Sequence, residues 1–384
     1  MTTAQSSITH PLISPTLPDP AELLEELRNI FQSGRVTIGR HVAALEDEVC
    51  ARTGVKHAIA LSSGTSGLML LIRALDLPKG SEVITPSFTF AATAHALLWN
   101  SLKPVFCDSE PESFTMDAEA AEYLINERTS AIYPVCIFGV PGDIDAYQRL
   151  ADRHHLALIF DSAQGFGSAY KGTALANFGE GEVFSLSPTK IVTALEGGLV
   201  TTGNDTIAER VHRMRDYGKA VDGEDMDWCG LSARMTEVNA LVARWSLARI
   251  GTWIANRGQI MKRYRERLTL LPGLKFQQIP PDRASSYNYA AILLDPSVSH
   301  VTRDDLHYRL GQRGIQTKCY FYPALHNQTL YRQIADAQRP RLTVAERLAS
   351  QSLALPMYSH LSLDEVNLIC DHIVDCFSHA GVLG

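Results

Sequence analysis

Between His57 and Asp161 short apolar runs alternate with helical stretches, and this alternation restricts the folds open to the chain more than any other feature. The runs His57 to Leu61, Glu82 to Thr85, Pro104 to Cys107, Ala131 to Cys136 and Leu156 to Phe160 read as strands. Between them lie helical stretches at Leu68 to Leu75, through Trp99, after Asp117 and at Ile144 to His154. Strands separated by helices form parallel pairs through right-handed crossovers, with helices on both faces of the sheet. The expected class is α/β with a largely parallel sheet. In such sheets ligands bind beyond the carboxyl ends of the strands. The residues that follow each strand are therefore the candidates for function.

The flanking segments are simpler. Residues 1–18 form a polar arm, and Asp19-Pro20 opens a helix that stops near Gly34. A second helix, Arg40 to Arg52, ends at Gly54. Helices are expected at Thr206 to Asp216 and, as one long element, at Thr236 to Leu270. After Leu271-Pro272-Gly273 the chain reads as a smaller α+β domain. Strands are expected near Tyr289 to Leu293 and Ile315 to Thr317, and helices near Arg303 to Arg313, Val344 to Gln351 and Leu363 to Phe377. The expected division is a large domain, 1–250, carrying the arm and first helices, and a small domain, 251–384.

Charge and composition exclude several classes. The net charge is −7 with no basic block, which argues against nucleic acid and anionic membrane as partners. No apolar run approaches the ~20 residues of a membrane helix. The first residues lack the charged start and apolar core of a signal peptide. Seven scattered cysteines with no C-x-x-C imply reduced thiols, no metal site and a cytoplasmic location.

Four features sit at expected strand ends. Ser62-Ser63-Gly64-Thr65-Ser66-Gly67 joins a strand to a helix, where free N–H groups and hydroxyls favour a phosphate; by itself it is equally an ordinary capped turn. Phe90 follows P-S-F-T and reads as core packing or as a platform for a flat ring. Asp161 ends a strand and reads as a helix cap, an ion-pair partner or a carboxylate that keeps a heterocyclic nitrogen protonated, with Gln164 three residues on. Lys190 stands in V-F-S-L-S-P-T-K-I-V-T-A-L-E-G-G between two apolar runs. A lone lysine there either escapes to solvent or forms a Schiff base with a carbonyl. Together these parts suit pyridoxal phosphate. Neither G-x-G-x-x-G nor G-x-x-x-x-G-K-[ST] begins the sheet, which disfavours a nucleotide site.

From about Leu24 to Ile373 the sequence resembles the DegT/DnrJ/EryC1/StrS sugar aminotransferases, of pyridoxal-phosphate fold type I. The likeness rests on S-G-R-V-T-I-G with Glu46, S-S-G-T-S-G, V-I-T-P-S-F-T-F-A-A-T, F-D-S-A-Q-G-F-G, F-S-L-S-P-T-K with E-G-G, M-R-D-Y-G, G-L-S-A-R-M-T-E-V-N-A, Y-P-A-L-H and L-A-L-P-M-Y. The resemblance implies a mostly parallel seven-stranded sheet in the large domain. It implies that Lys190 is the Schiff-base lysine, that Asp161 pairs with the pyridine nitrogen, that Gln164 lies near the ring oxygen and that Phe90 stacks on the ring. Gly64, Thr65, Ser66 and Ser185 would cradle the phosphate. The resemblance also implies a homodimer with shared active sites, in which Ser232 of the neighbouring subunit stands where many members place asparagine. Ser187, Ile191, Leu195 and Cys136-Ile137-Phe138 also depart from the common family pattern.

The implied activity is transfer of an amino group from glutamate or glutamine to a nucleotide-linked keto sugar, with pyridoxal 5'-phosphate cycling through pyridoxamine phosphate. Arg35, Tyr320 and His326 are candidate substrate contacts, and Arg215, Arg234 and Lys318 further ones. Two alternatives within the resemblance are a pyridoxamine-dependent sugar dehydratase, disfavoured by Lys190, and a non-catalytic cofactor-binding regulator.

Overall fold

Asp19 caps α1 (Pro20–Ser33): its carboxylate accepts from the Ala21 N–H at 2.8 Å, and Gly34 ends the helix at φ 68°. α2 (Arg40–Thr53) has no side-chain cap from its own N-cap residue. The buried Glu237 carboxylate supplies one, accepting from the N–H groups of Gly39, His41 and Val42. The computed structural model describes residues 8–334 and 341–378; the first seven residues of the expected arm lie outside them.

The alternating region builds β1 (His57–Leu61), α3 (Gly64–Ala74), β2 (Glu82–Pro86), α4 (Ala91–Trp99), β3 (Lys103–Cys107), α5 (Ala118–Leu124), β4 (Thr129–Ile132), α6 (Ile144–His154) and β5 (Ala157–Asp161). Two short strands, β6 (Ala169–Tyr170) and β7 (Thr173–Ala174), precede β8 (Gly181–Ser185) and β9 (Gly198–Thr202). Seven strands form one sheet in the order β1-β9-β8-β5-β4-β2-β3. β9 runs antiparallel to both neighbours, and the other adjacent pairs are parallel. The expected α/β class and mostly parallel seven-stranded sheet are what the chain forms.

Both faces of the sheet are covered, as a parallel sheet requires. Ile59, Leu61, Val83, Ile159, Val183 and Val200 pack with α3 and with α7 (Asp205–Met214) on one face. Ala58, Ile84, Leu158, Phe160, Phe184 and Leu199 face the other way, towards α2, α6 and α8 (Glu237–Leu247). A separate core draws on α9 (Ile250–Leu268) from Ile260 onward, on β10 (Leu274–Phe276) and on the pair β12 (Ala290–Leu294) and β13 (Ser352–Leu355). A third small sheet joins β11 (Arg283–Ala284) to β6. The start of the described chain lies on this C-terminal part: His10 bridges Ile315, and Leu12 donates its N–H to Gln316 Oε1 at 3.1 Å.

Several expected elements differ. The strand expected at Ala131 to Cys136 ends at Ile132, because Pro134 has no N–H for the ladder. Its carbonyl instead accepts from the Asp161 N–H at 3.0 Å. The single helix expected from Thr236 to Leu270 is two, broken where Arg249 N–H bonds the Ser246 carbonyl in a tighter turn. The helix expected from Leu68 begins at Gly64, because Ser63 caps it. Ile315 to Thr317 is not a strand; only the isolated bridge to His10 forms there.

Arg215, a sequence candidate for substrate contact, is structural. It is 1% exposed, pairs with Glu46 and donates to the Ala60 carbonyl at 3.0 Å. Glu46 in turn accepts from the Ala60 N–H at 2.8 Å, so the pair ties α2 to β1 just before the candidate phosphate turn. Removing one member of such a pair leaves a buried charge unmatched. Arg215→Met is expected to cost about 3–5 kcal/mol of folding stability, measured by denaturant unfolding.

Candidate active site

A cavity of about 320 Å³ opens beyond the ends of β1, β5 and β8. Its floor begins at α3. Ser63 and Ser66 form a reciprocal cap: Ser66 N–H donates to Ser63 Oγ at 3.0 Å, and Ser63 N–H donates to Ser66 Oγ at 3.2 Å, while the Ser66 hydroxyl donates to the Ser63 carbonyl at 2.8 Å. Gly64 and Thr65, at the first helical positions, have N–H groups with no partner inside the helix. Both line the cavity, beside Ser185 at the end of β8.

Two glycines permit this approach. A Cβ on Gly64 would lie 2.9 Å from Ser185 Cβ, and one on Gly198 would lie 2.4 Å from the Ser63 carbonyl oxygen. The second glycine of E-G-G thus brings the reversed strand β9 against the start of α3.

Asp161 ends β5 and is 4% exposed. Burial raises its carboxyl above the usual range, and donors oppose that rise: Thr93 Oγ1 at 2.7 Å and the Ala163 N–H at 3.1 Å. Lys190 also lines the cavity. Its surroundings are protein on most sides, and burial pulls its amine down from 10.5 to about 8, with Asp161 opposing. The lysine does not escape to solvent. Gln164 is oriented by its neighbour: Phe138 N–H donates to Gln164 Oε1 at 2.7 Å, which leaves the amide nitrogen as the free donor. Phe90 is 59% exposed at the cavity edge, so it is not core packing.

The opposite wall comes from the C-terminal part. Tyr289, Tyr320 and Phe321 line it, and the Lys190 Nζ stands 6.0 Å from the Tyr289 ring centroid. Burial raises the Tyr289 phenol. Ser187, Thr189 and Glu196 complete the polar lining.

The cavity thus unites Gly64, Thr65, Phe90, Asp161, Gln164, Ser185, Lys190 and Tyr320. Other candidates lie outside its lining. The Ser66 hydroxyl is spent on the helix cap. Arg35 is exposed and donates to the Ile38 carbonyl. His326 Nδ1 bonds Ser87 Oγ at 2.6 Å, and its Nε2 meets Glu346. Ser232 is exposed beside Arg234, which is paired with Asp216. Lys318 joins Ala354 through its backbone.

Sequence reasoning missed Thr93, Thr89, Tyr289 and Glu196. Thr89 and Thr93 are four apart, and their hydroxyls meet at 3.1 Å, so the spacing in T-F-A-A-T held a usable signal. Tyr289 held none, because it reaches the cavity from the C-terminal part by packing on Phe138, far from it in the sequence.

A free helix start beside a hydroxyl, a buried acid and a deep lysine suit a phosphorylated pyridine aldehyde. Fold and cavity define a pyridoxal-phosphate-dependent aminotransferase. The chain belongs to the DegT/DnrJ/EryC1/StrS aminotransferase family, whose model matches residues 19–374. It is 32% identical over 356 residues to the dTDP-4-amino-4,6-dideoxy-D-glucose transaminase of Escherichia coli, covering 92% of this chain and 95% of that protein. It is 31% identical over 375 residues to the UDP-4-amino-4-deoxy-L-arabinose--oxoglutarate aminotransferase of Shewanella sediminis, covering 94% and 96%. The crystal structure of DesI with its TDP-sugar product superposes with a TM-score of 0.91 at 32% identity, covering 99% of this chain and 95% of that one.

Two outcomes follow from the electrostatics. The folded-state value of Lys190 lies below its unfolded value of 10.5, so the linked stability is present above that pH and is lost as the pH falls through about 8. Cofactor-free protein is therefore expected to gain stability as pH rises across that window, and Lys190→Met to lack the gain, as read by denaturant unfolding. Thr93→Val removes a donor from Asp161, so its carboxyl rises further. The acid limit of pyridoxal-phosphate binding should move to higher pH, measured as dissociation constants at a series of pH values.

Proposed function

We propose that this aminotransferase moves an amino group from glutamate or glutamine to a nucleotide-linked keto sugar, in aminosugar, polysaccharide or antibiotic biosynthesis. The observation that carries the reading is the convergence of Lys190, Asp161 and the free start of α3 on one cavity. The relatives named above act on dTDP- and UDP-linked sugars, which supports a sugar acceptor.

When bound, pyridoxal phosphate supplies an electron sink that eases loss of a proton from the substrate carbon. The chain's own groups do the rest. The Gly64 and Thr65 N–H groups and the Ser185 hydroxyl would hold the phosphate at a helix start. Ser66 acts through the cap it makes. Asp161, whose charged form the Thr93 and Ala163 donors favour against burial, would keep the ring nitrogen protonated. Gln164 Nε2 would be the donor available to the ring, and Phe90 the aromatic side chain at the cavity edge available to pack on it. Lys190, with an amine near 8, has a neutral fraction at physiological pH. Its Nζ is the group that would hold the cofactor and that could take and return a substrate proton. Tyr320 faces the acceptor.

The reading includes a homodimer in which Ser232 and Arg234, outside the cavity of their own chain, serve the cavity of the second copy. The seven cysteines are unpaired, which suits the cytoplasm. Lys190→Ala is expected to lose the visible absorbance of lysine-bound cofactor and all but background turnover. Assay with glutamate and a panel of nucleotide-linked keto sugars checks the acceptor; wild-type turnover by Lys190→Ala would refute the reading.

A further inference from the structure

The segment 162–178 leaves the main sheet at the end of β5 and returns just before β8. It carries Ala163 and Gln164 into the cavity. Both feet of this loop converge on one side chain, Glu182, the second residue of β8, which is 0% exposed. Glu182 Oε2 accepts from the Ser162 hydroxyl at 2.5 Å. Its Oε1 accepts from the Ala176 N–H at 2.6 Å and the Phe178 N–H at 3.1 Å. Ser162 is the residue after Asp161, and Ala176 and Phe178 belong to the loop's return.

The setting makes this carboxylate expensive. Glu182 shares its strand face with Phe184, among Phe160, Phe166 and Leu175. The three donors on it are neutral, and burial pushes its carboxyl up to about 7. A buried acid with neutral partners contributes little to stability compared with an apolar side chain of similar size. Its placement has a clearer return in geometry. β8 leads through Ser185 to Lys190, while the loop carries the ring-side residues. Glu182 is the group through which the lysine strand grips both feet of that loop.

We propose that Glu182 is a positioning residue for the cofactor, fixing Ala163 and Gln164 against the strand that presents Ser185 and Lys190. The proposal rests on the reading of the cavity as the pyridoxal-phosphate site. Glu182 touches neither cofactor nor substrate; it acts through Ser162 and the loop.

The test compares three variants by pyridoxal-phosphate dissociation constant, visible absorbance of the bound cofactor and unfolding midpoint of the cofactor-free protein. Glu182→Gln keeps an oxygen for the Ala176 and Phe178 N–H groups and an amide that can donate to the Ser162 oxygen. Glu182→Met removes every bond at similar size, and Ser162→Ala cuts one foot only. The expected result is a dissociation constant raised about tenfold or more in Glu182→Met and about threefold in Ser162→Ala, each with a displaced absorbance maximum. Glu182→Gln is expected to restore both readings. Wild-type affinity and absorbance in Ser162→Ala and Glu182→Met, with only the unfolding midpoint lowered, would make Glu182 purely structural and overturn the proposal. Should Glu182→Met not fold, Ser162→Ala against Glu182→Gln decides it on the same readings. A wild-type protein that binds no pyridoxal phosphate overturns the cavity reading itself, a distinct result.

Discussion

The close backbone approach at Gly64 and Gly198 is the constraint on which the site depends. A side chain at Gly198 would collide with the Ser63 carbonyl, and one at Gly64 with Ser185. Without those two positions the start of α3 could not lie against the ends of β8 and β9, and the free N–H groups would stand away from the lysine. The reversed strand β9 between β1 and β8 follows from the same requirement. It returns the chain from the Lys190 turn directly past the start of α3.

The charges obey a second constraint. Burial moves Asp161 up and Lys190 down, and in each case burial is the largest cause while the partner's charge opposes it. Left alone, such an acid and base drift towards their neutral forms. Thr93 and the Ala163 N–H add their donors against the rise of the acid, whereas the fall of the Lys190 amine is opposed by the Asp161 charge. The asymmetry suits the proposed chemistry, in which the acid would fix a ring nitrogen in its charged form and the amine would lose its proton to act as a nucleophile and base.

The sequence made the strand-end residues legible because parallel sheets collect function at one edge. Lys190, Asp161, Gln164 and Gly64 fell to that rule. It worked less well where a residue's role is indirect. Ser66 sits in the expected turn, yet its hydroxyl serves the helix cap. Arg215 lies in M-R-D-Y-G, but its charge answers Glu46 in the interior, and no local pattern distinguishes that from a surface cation. Glu182 lies in a strand, where a carboxylate reads as an outward residue until both faces are known to be covered. Tyr289 was illegible, because its approach depends on an aromatic cluster with Phe138 and Phe321 that joins residues far apart in the sequence. Among the elements, the break between α8 and α9 was hidden by an unbroken helical pattern, and Pro134 was an available warning about β4.

The wall formed by Tyr289, Tyr320 and Phe321 has a consequence for descent. The acid, the lysine and the start of α3 are fixed by the main sheet, and the wall packs against residues that follow its strands: Phe321 on Phe88 and Phe138, and Tyr289 on Phe138. A change in the wall is therefore felt in packing that the sheet shares. On the proposed reading, a lineage that reshapes this wall for a new acceptor must also refit the Phe88 and Phe138 rings beneath it.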